Sequence, residues 1–176
     1  MDSMRRVFPW AALALAVAVA GCTQGTQTPT PIPIPLAPAD TTDTFSGTLS
    51  ILGSNYHQFC VEKPGEVFIT LRSTAYAPTT DPDTGASIPS TRTDPIPPLT
   101  VLVGTPAATT IGLLCSPVQF NGQNMLVSDA TAGTKAQISG NALAGNLCIS
   151  VSDPTGVLPD KITYQVTVAH PGSCFH

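Results

Sequence analysis

Charge is scarce in this chain. Asp, Glu, Lys and Arg together make up 10% of its 176 residues, and the formal net charge is −4. No basic run offers an attractive field to a phosphate backbone, which excludes nucleic-acid binding. Aromatics are few, at 6%. No window repeats apolar residues at helical spacing long enough to support a helix. The three histidines are His57, His170 and His176, and no H-x-x-x-H or His–carboxylate spacing joins them. There is no G-x-S-x-G elbow, and Gly122 and its neighbours form no phosphate-cradling G-x-G-x-x-G. The sequence therefore predicts no enzyme. A hydrolase would need a site without a motif, with a carboxylate or hydroxyl within hydrogen-bond reach of His57 or His170 in a cleft. Both histidines read as surface or strand-end residues, since nothing in the sequence supplies a partner.

What is present begins at the N-terminus. Arg5 and Arg6 form a positive start, and Trp10 to Ala20 is an unbroken apolar run of 11 residues. That run is too short to cross a bilayer core, which needs about 20 helical residues, but it suits a secretory signal. Val19-Ala20-Gly21-Cys22 follows and resembles the lipobox of bacterial lipoproteins. The resemblance implies that residues 1–21 are removed and that Cys22 carries a diacylglycerol, with its new amine acylated. Each buried methylene adds about 0.8 kcal/mol, so two or three chains anchor a protein for practical purposes permanently. Thr23 rather than Asp follows the cysteine, and by resemblance to enterobacterial sorting this favours the outer membrane. The expected location is the cell envelope, on its periplasmic face or the cell surface.

Residues 22–40 hold five prolines in TQGTQTPTPIPIPLAPAD and no periodic apolar face. They read as an extended tether, advancing about 3.1 Å per residue and reaching some 50 Å. With the signal removed 155 residues remain. Asp2, Arg5 and Arg6 leave with it, so the 11 acids and 7 bases become ten and five.

From Thr41 to His176 the dominant pattern is alternation, the mark of half-buried strands. Phe45, Gly47, Leu49 and Ile51 alternate with Ser46, Thr48 and Ser50. Phe59 and Val61 follow, and Pro64-Gly65 makes a turn. Val67, Ile69 and Leu71 alternate with Phe68, Thr70 and Arg72. Leu99, Val101 and Val103 repeat the rhythm, and Thr109–Cys115 reads as another strand. Met125–Val127 and Ala136–Ile138 are shorter candidates. Leu147, Ile149 and Val151 precede the clearest strand, Ile162, Tyr164, Val166 and Val168. Eight or nine short strands with one wet face each predict an all-β, two-sheet sandwich. Residues 74–98 are too polar and proline-rich for a strand and read as one long, loosely ordered loop.

The segments FSGTL, FCVEKPGEVFITL, LTVLV, GNLCISV and YQVTV, in this order, resemble the bacterial pre-peptidase C-terminal domain. The similarity spans about Thr44 to Pro171 and rests on strand rhythm, a Gly before the penultimate strand and a Tyr in the last. Where that family often has Tyr after the Gly, this chain has Asn146-Leu147. The resemblance implies a jelly-roll-like sandwich and no particular activity.

Besides Cys22 there are four cysteines, Cys60, Cys115, Cys148 and Cys174. No C-x-x-C pair suggests a metal site, and an even count in an exported domain implies disulfides. Three connectivities are open. The resemblance favours Cys115–Cys148, joining two predicted strands. Cys60–Cys174 would then pin the C-terminal tail Pro171–His176 to an early strand. By chain entropy these would contribute about 4 and about 5 kcal/mol.

The one hint of a cation site is Asp81-Pro82-Asp83-Thr84-Gly85, with Asp94 further on. Carboxylates two apart before a glycine can wrap calcium, but no bidentate Glu completes six oxygens, and the same residues build ordinary turns. Some members of the resembled family bind calcium through an acidic N-terminal segment, where this chain has Asp40 and Asp43. Apart from this calcium reading no cofactor is implied. Tyr56, Tyr76 and Phe68 are the aromatics that would serve sugar or peptide binding if exposed; packing beneath loops is the plainer expectation for the two tyrosines. The sequence thus points to a lipid-anchored, non-catalytic binding or accessory module. Its partners would be the membrane, through Cys22, and a polysaccharide or extracellular protein. A structural or assembly role in the envelope is the alternative.

Overall fold

A computed structural model describes residues 36–109, 112–120, 123–172 and 174. The signal segment, Cys22, most of the tether and His176 lie outside them. Thirteen strands follow one another among the described residues: β1 (Thr41–Leu49), β2 (Ser54–Val61), β3 (Gly65–Tyr76), β4 (Thr79–Thr80), β5 (Ser87–Ile88), β6 (Leu99–Thr109), β7 (Gly112–Pro117), β8 (Gln119–Phe120), β9 (Gln123–Asn124), β10 (Leu126–Ala130), β11 (Ile138–Ala142), β12 (Gly145–Ser152) and β13 (Ile162–His170). Nine of them make two antiparallel sheets. One runs β1-β13-β3-β11; the other runs β10-β6-β12-β2, with β7 also paired to β6. The sequence reading of an all-β sandwich is what the chain forms.

Alternation explains why. In β13, Ile162, Tyr164, Val166, Val168 and His170 are buried while the residues between them are more exposed. They meet Leu49, Phe59, Val61, Val67, Ile69, Leu71, Leu99, Val101, Ile149 and Val151 in one core between the sheets. Burying such side chains contributes about 1.5–3 kcal/mol each. Both disulfides form as Cys115–Cys148 and Cys60–Cys174, with Cα atoms 5.7 and 5.5 Å apart. Gly104 is needed beside the first: a Cβ there would run into the Ser116 carbonyl and approach Cys115 Sγ within 3.1 Å.

Three expectations need correction. The strand read over 109–115 is a hairpin, with Thr109 ending β6 and β7 returning from Gly112. The candidate Ala136–Ile138 is a strand only from Ile138 onward: Gln137 N–H still donates to Ile69 O at 2.9 Å, but its side-chain amide oxygen, rather than a backbone carbonyl, accepts from Leu71 N–H at 2.7 Å and ends the ladder. The loop set at 74–98 begins later, since β3 continues to Tyr76 against β13.

The sandwich has two unlike poles. At one, Ala37 bridges Gly65, Ala37 N–H donates to Pro64 O and Asp40 N–H donates to His170 O. Gly172 N–H donates to Asp40 Oδ1 at 2.7 Å, and Cys174 is tied to Cys60, so the tether exit and the C-terminal tail share this end. The 12 residues of β3 lead from it to Tyr76, roughly 35 Å away at about 3.3 Å per residue. The far pole carries the β1–β2 turn, the 77–98 loop and the 153–161 loop.

Candidate binding surfaces

The long loop is more organised than its composition suggests. Asp81 Oδ1 accepts from Asp83 N–H at 2.9 Å and Thr84 N–H at 3.1 Å, an Asx turn that starts the β4–β5 hairpin. The Thr84 and Asp83 amides hold the Asp81 carboxyl below its ordinary value. Further on, Arg92 folds back over the Tyr76 ring, its guanidinium carbon 5.0 Å from the centroid. Its Nε donates to Asp94 Oδ2 at 2.9 Å, and Nη1 lies 3.8 Å from Asp160. The stacked guanidinium closes the loop over the sheet end and leaves a groove of about 490 Å³, lined by Thr74, Tyr76, Ser90, Thr93, Ile96 and Thr131 among others.

The calcium candidates Asp81, Asp83 and Asp94 all lie in this loop. Asp81 is engaged by backbone amides and Asp94 by Arg92, and among the described residues no three His, Cys, Asp or Glu side chains come together as a metal site. Asp83 takes part in the Asp81 turn through its backbone N–H. Asp40 serves the tail and Asp43 a histidine, so neither joins them.

Asp153 organises the rest of the far pole. It is 1% exposed. Its Oδ2 accepts from Leu52 N–H at 3.3 Å and Leu158 N–H at 3.2 Å, while Oδ1 accepts from Val157 N–H at 3.0 Å. One buried carboxylate thus fixes two turns, and Leu52 between them sits at φ 57°, a conformation costing about 1–2 kcal/mol for a residue with a Cβ. Among the described residues seven large apolar side chains are exposed, and four of these, Ile51, Leu52, Ile88 and Val157, ride on far-pole turns and loops.

Both histidines have partners that the sequence does not supply, although His170 does end a strand, β13, as read. His57 stands on an inward position of β2, stacked on Phe45 at 5.0 Å, with Nε2 2.7 Å from Tyr164 Oη. Burial pushes the His57 imidazole below its ordinary value and the Tyr164 phenol above its own. Gly47, opposite Tyr164 in the β1–β13 register, makes room: a Cβ there would sit 2.6 Å from Oη. His170 is 0% exposed, packs on Phe59, and places Nε2 3.1 Å from Asp43 Oδ2. Its Nδ1 is buried without a partner. These groups form a polar seam where edge strands β1 and β2 face each other. Sequence pattern misses it because inward polar residues on an edge strand look like any outward ones. Neither histidine lines the groove, and His170 is sealed from solvent.

Of the aromatics, Tyr56 and Tyr76 both have buried hydroxyls, as the packing expectation holds. Phe68 faces outward on β3, half-buried, in a recess of about 240 Å³ with Glu66, Ser139 and Asn141. A second recess of about 460 Å³ on the same sheet involves Ser46, Thr48, Ser73, Thr163 and Gln165.

No protein-family model matches the chain and no curated protein matches it, so its functional reading rests on this geometry.

Proposed function

We propose that the chain is an exported lipoprotein, anchored through lipid on Cys22, whose sandwich is a non-catalytic binding or accessory module. The polarity of the domain carries this reading. The tether enters at one pole; the groove, the long loop and most of the exposed apolar side chains lie at the other. Exposed apolar groups gathered in one region mark interaction sites, and loops held by a rigid scaffold are where binding concentrates. A domain hung by its opposite end presents that region outward, toward whatever its spacer lets it reach. The resemblance to the pre-peptidase C-terminal domain agrees with an accessory role. The hydrolase reading has partners for its histidines, but His170 is fully buried and His57 is engaged by the Tyr164 phenol, so it carries less support.

The test is made in the native envelope. A photo-crosslinking residue at Leu52 or Ile88 gives discrete adducts, and one at Leu143 gives none. Replacing Cys22 with Ala releases the protein from the membrane fraction. Equal labelling from all three positions, or membrane retention without Cys22, overturns the reading.

A further inference from the structure

We propose that the outer face of the β1-β13-β3-β11 sheet binds an extended polysaccharide chain. The register lays that face out in rows across the strands: Thr48, Thr163 and Ala75; then Ser46, Gln165 and Ser73; then Thr44, Thr167 and Thr70, the last of them buried; then Thr42, Ala169, Phe68 and Ser139; and finally Glu66 beside Asn141. Apart from Phe68 and two alanines every group in the rows is a hydroxyl, an amide or a carboxylate. Hydroxyls and amides both donate and accept, which is what a ligand made of hydroxyls requires. The two recesses on this face are four residues apart along β13, from Ala169 to Gln165. That is about 13 Å, more than a single sugar ring spans. Phe68 sits in one of them, flanked by Glu66, Ser139 and Asn141, an apolar plate ringed by hydrogen-bonding groups.

The sheet departs from regularity at one point. The β3–β13 register shifts between Gln165 and Val166, so that Arg72 is the extra residue beside Ser73. Arg72 is exposed and, among the described residues, forms no ion pair. Bulges of this kind re-aim side chains at binding sites. A guanidinium there offers five donors to paired hydroxyls or to a sugar carboxylate.

Complementarity decides between partners. A protein interface wants an apolar, aromatic-rich centre, and this face has one phenylalanine. A polyanion wants a basic stripe, and this face has one arginine balanced by Glu66. A glycan, neutral or carrying an occasional carboxylate, matches both its polarity and its low charge.

The proposal rests on the binding-module reading but uses the flank of the sandwich rather than its far pole. It is tested by affinity electrophoresis of the exported full chain in gels holding a neutral soluble glucan, a polyuronate or a polysulfated glycan. The glucan or the polyuronate retards the chain. Phe68→Ala and the exposed Gln165→Ala each weaken retardation by about tenfold, the loss of one good contact, while Ile88→Ser at the far pole does not. Arg72→Ala distinguishes the ligands, removing retardation by polyuronate if the carboxylate is read and sparing the neutral glucan. Absence of retardation by both, retardation unchanged in both Phe68→Ala and Gln165→Ala, or retardation only by the polysulfated glycan overturns the proposal. Far-pole adducts in the cell without glycan retardation overturn it alone. Loss of both overturns the module reading with it.

Discussion

Asp153 is the residue whose removal should be felt furthest. It is buried, and its two oxygens satisfy three backbone amides on two separate turns. Asp153→Ala strips all three. A hydrogen bond to a charged acceptor contributes about 1.5–3 kcal/mol net, and a buried donor left unpaired costs a further share of that. The Leu158 amide is buried and the other two are partly so, which lets water replace some of the loss; taking the desolvated charge away offsets a little more. The expected cost is about 3–5 kcal/mol, among the large values for a point mutant, or roughly 10 °C in Tm for a domain of this size. Asp153→Asn keeps one acceptor oxygen and turns an N–H donor toward the remaining amide, so it should fall between wild type and Ala. Guanidinium unfolding measures both, read from the midpoint at constant m. Hydrogen exchange should show the loss first at Leu52, Val157 and Leu158. A cost for Asp153→Ala under about 1 kcal/mol would refute the assignment of the carboxylate as the clamp of the far pole.

Three further outcomes follow from the same geometry. Leu52→Gly relieves a positive φ on an exposed side chain and should raise stability by up to about 1 kcal/mol after the unfolded-state entropy of glycine is set against it; a fall in Tm of several degrees would contradict this. His57 has its imidazole pushed below the usual 6.5 by burial, so the unfolded chain binds the proton more readily. Its contribution is therefore complete above pH 6.5 and lost as pH falls through the lower folded value; in pH-dependent melting His57→Gln should flatten that slope, leaving the Asp40 and Asp81 window below about 3.8 in place. Replacing Cys115 and Cys148 together by Ser opens a loop of 33 residues and should cost about 4 kcal/mol; a loss under about 1 kcal/mol would mean the β6–β7 hairpin is held by its ladder alone.

The sheets were legible because strand periodicity is a local signal. Val166 and Val168 alternate with polar or small residues whether or not one knows the partner strand, and the even count of cysteines besides Cys22 implied the staples. The candidate surfaces were less legible, for a physical reason. Ser73 and Ala75 join the outward face only through the register shift at Arg72 against β13, which is a property of two strands together. His57 and His170 read as surface residues because their partners, Tyr164 and Asp43, lie 107 and 127 residues away in sequence. Asp153 looks like a turn former in Asp-Pro-Thr-Gly, and only the return of the β1–β2 turn to its side makes it a hub. The long loop was marked by composition, but the stacking of Arg92 on Tyr76 depends on where β3 ends.

The clasp at the tether pole also bears on how the molecule carries load. β1 begins there and lies against β13 over nine register pairs, from Thr41↔His170 to Leu49↔Ile162. A pull on residue 41 directed away from the far pole runs parallel to the strands. It loads those ladder bonds in shear, all together, instead of peeling them open one by one. The Cys60–Cys174 link joins the tail beyond β13 covalently to the opposite sheet, so part of the tension crosses the core without relying on hydrogen bonds. A load applied between residue 41 and the far pole is thereby met along the strongest direction of the sheet.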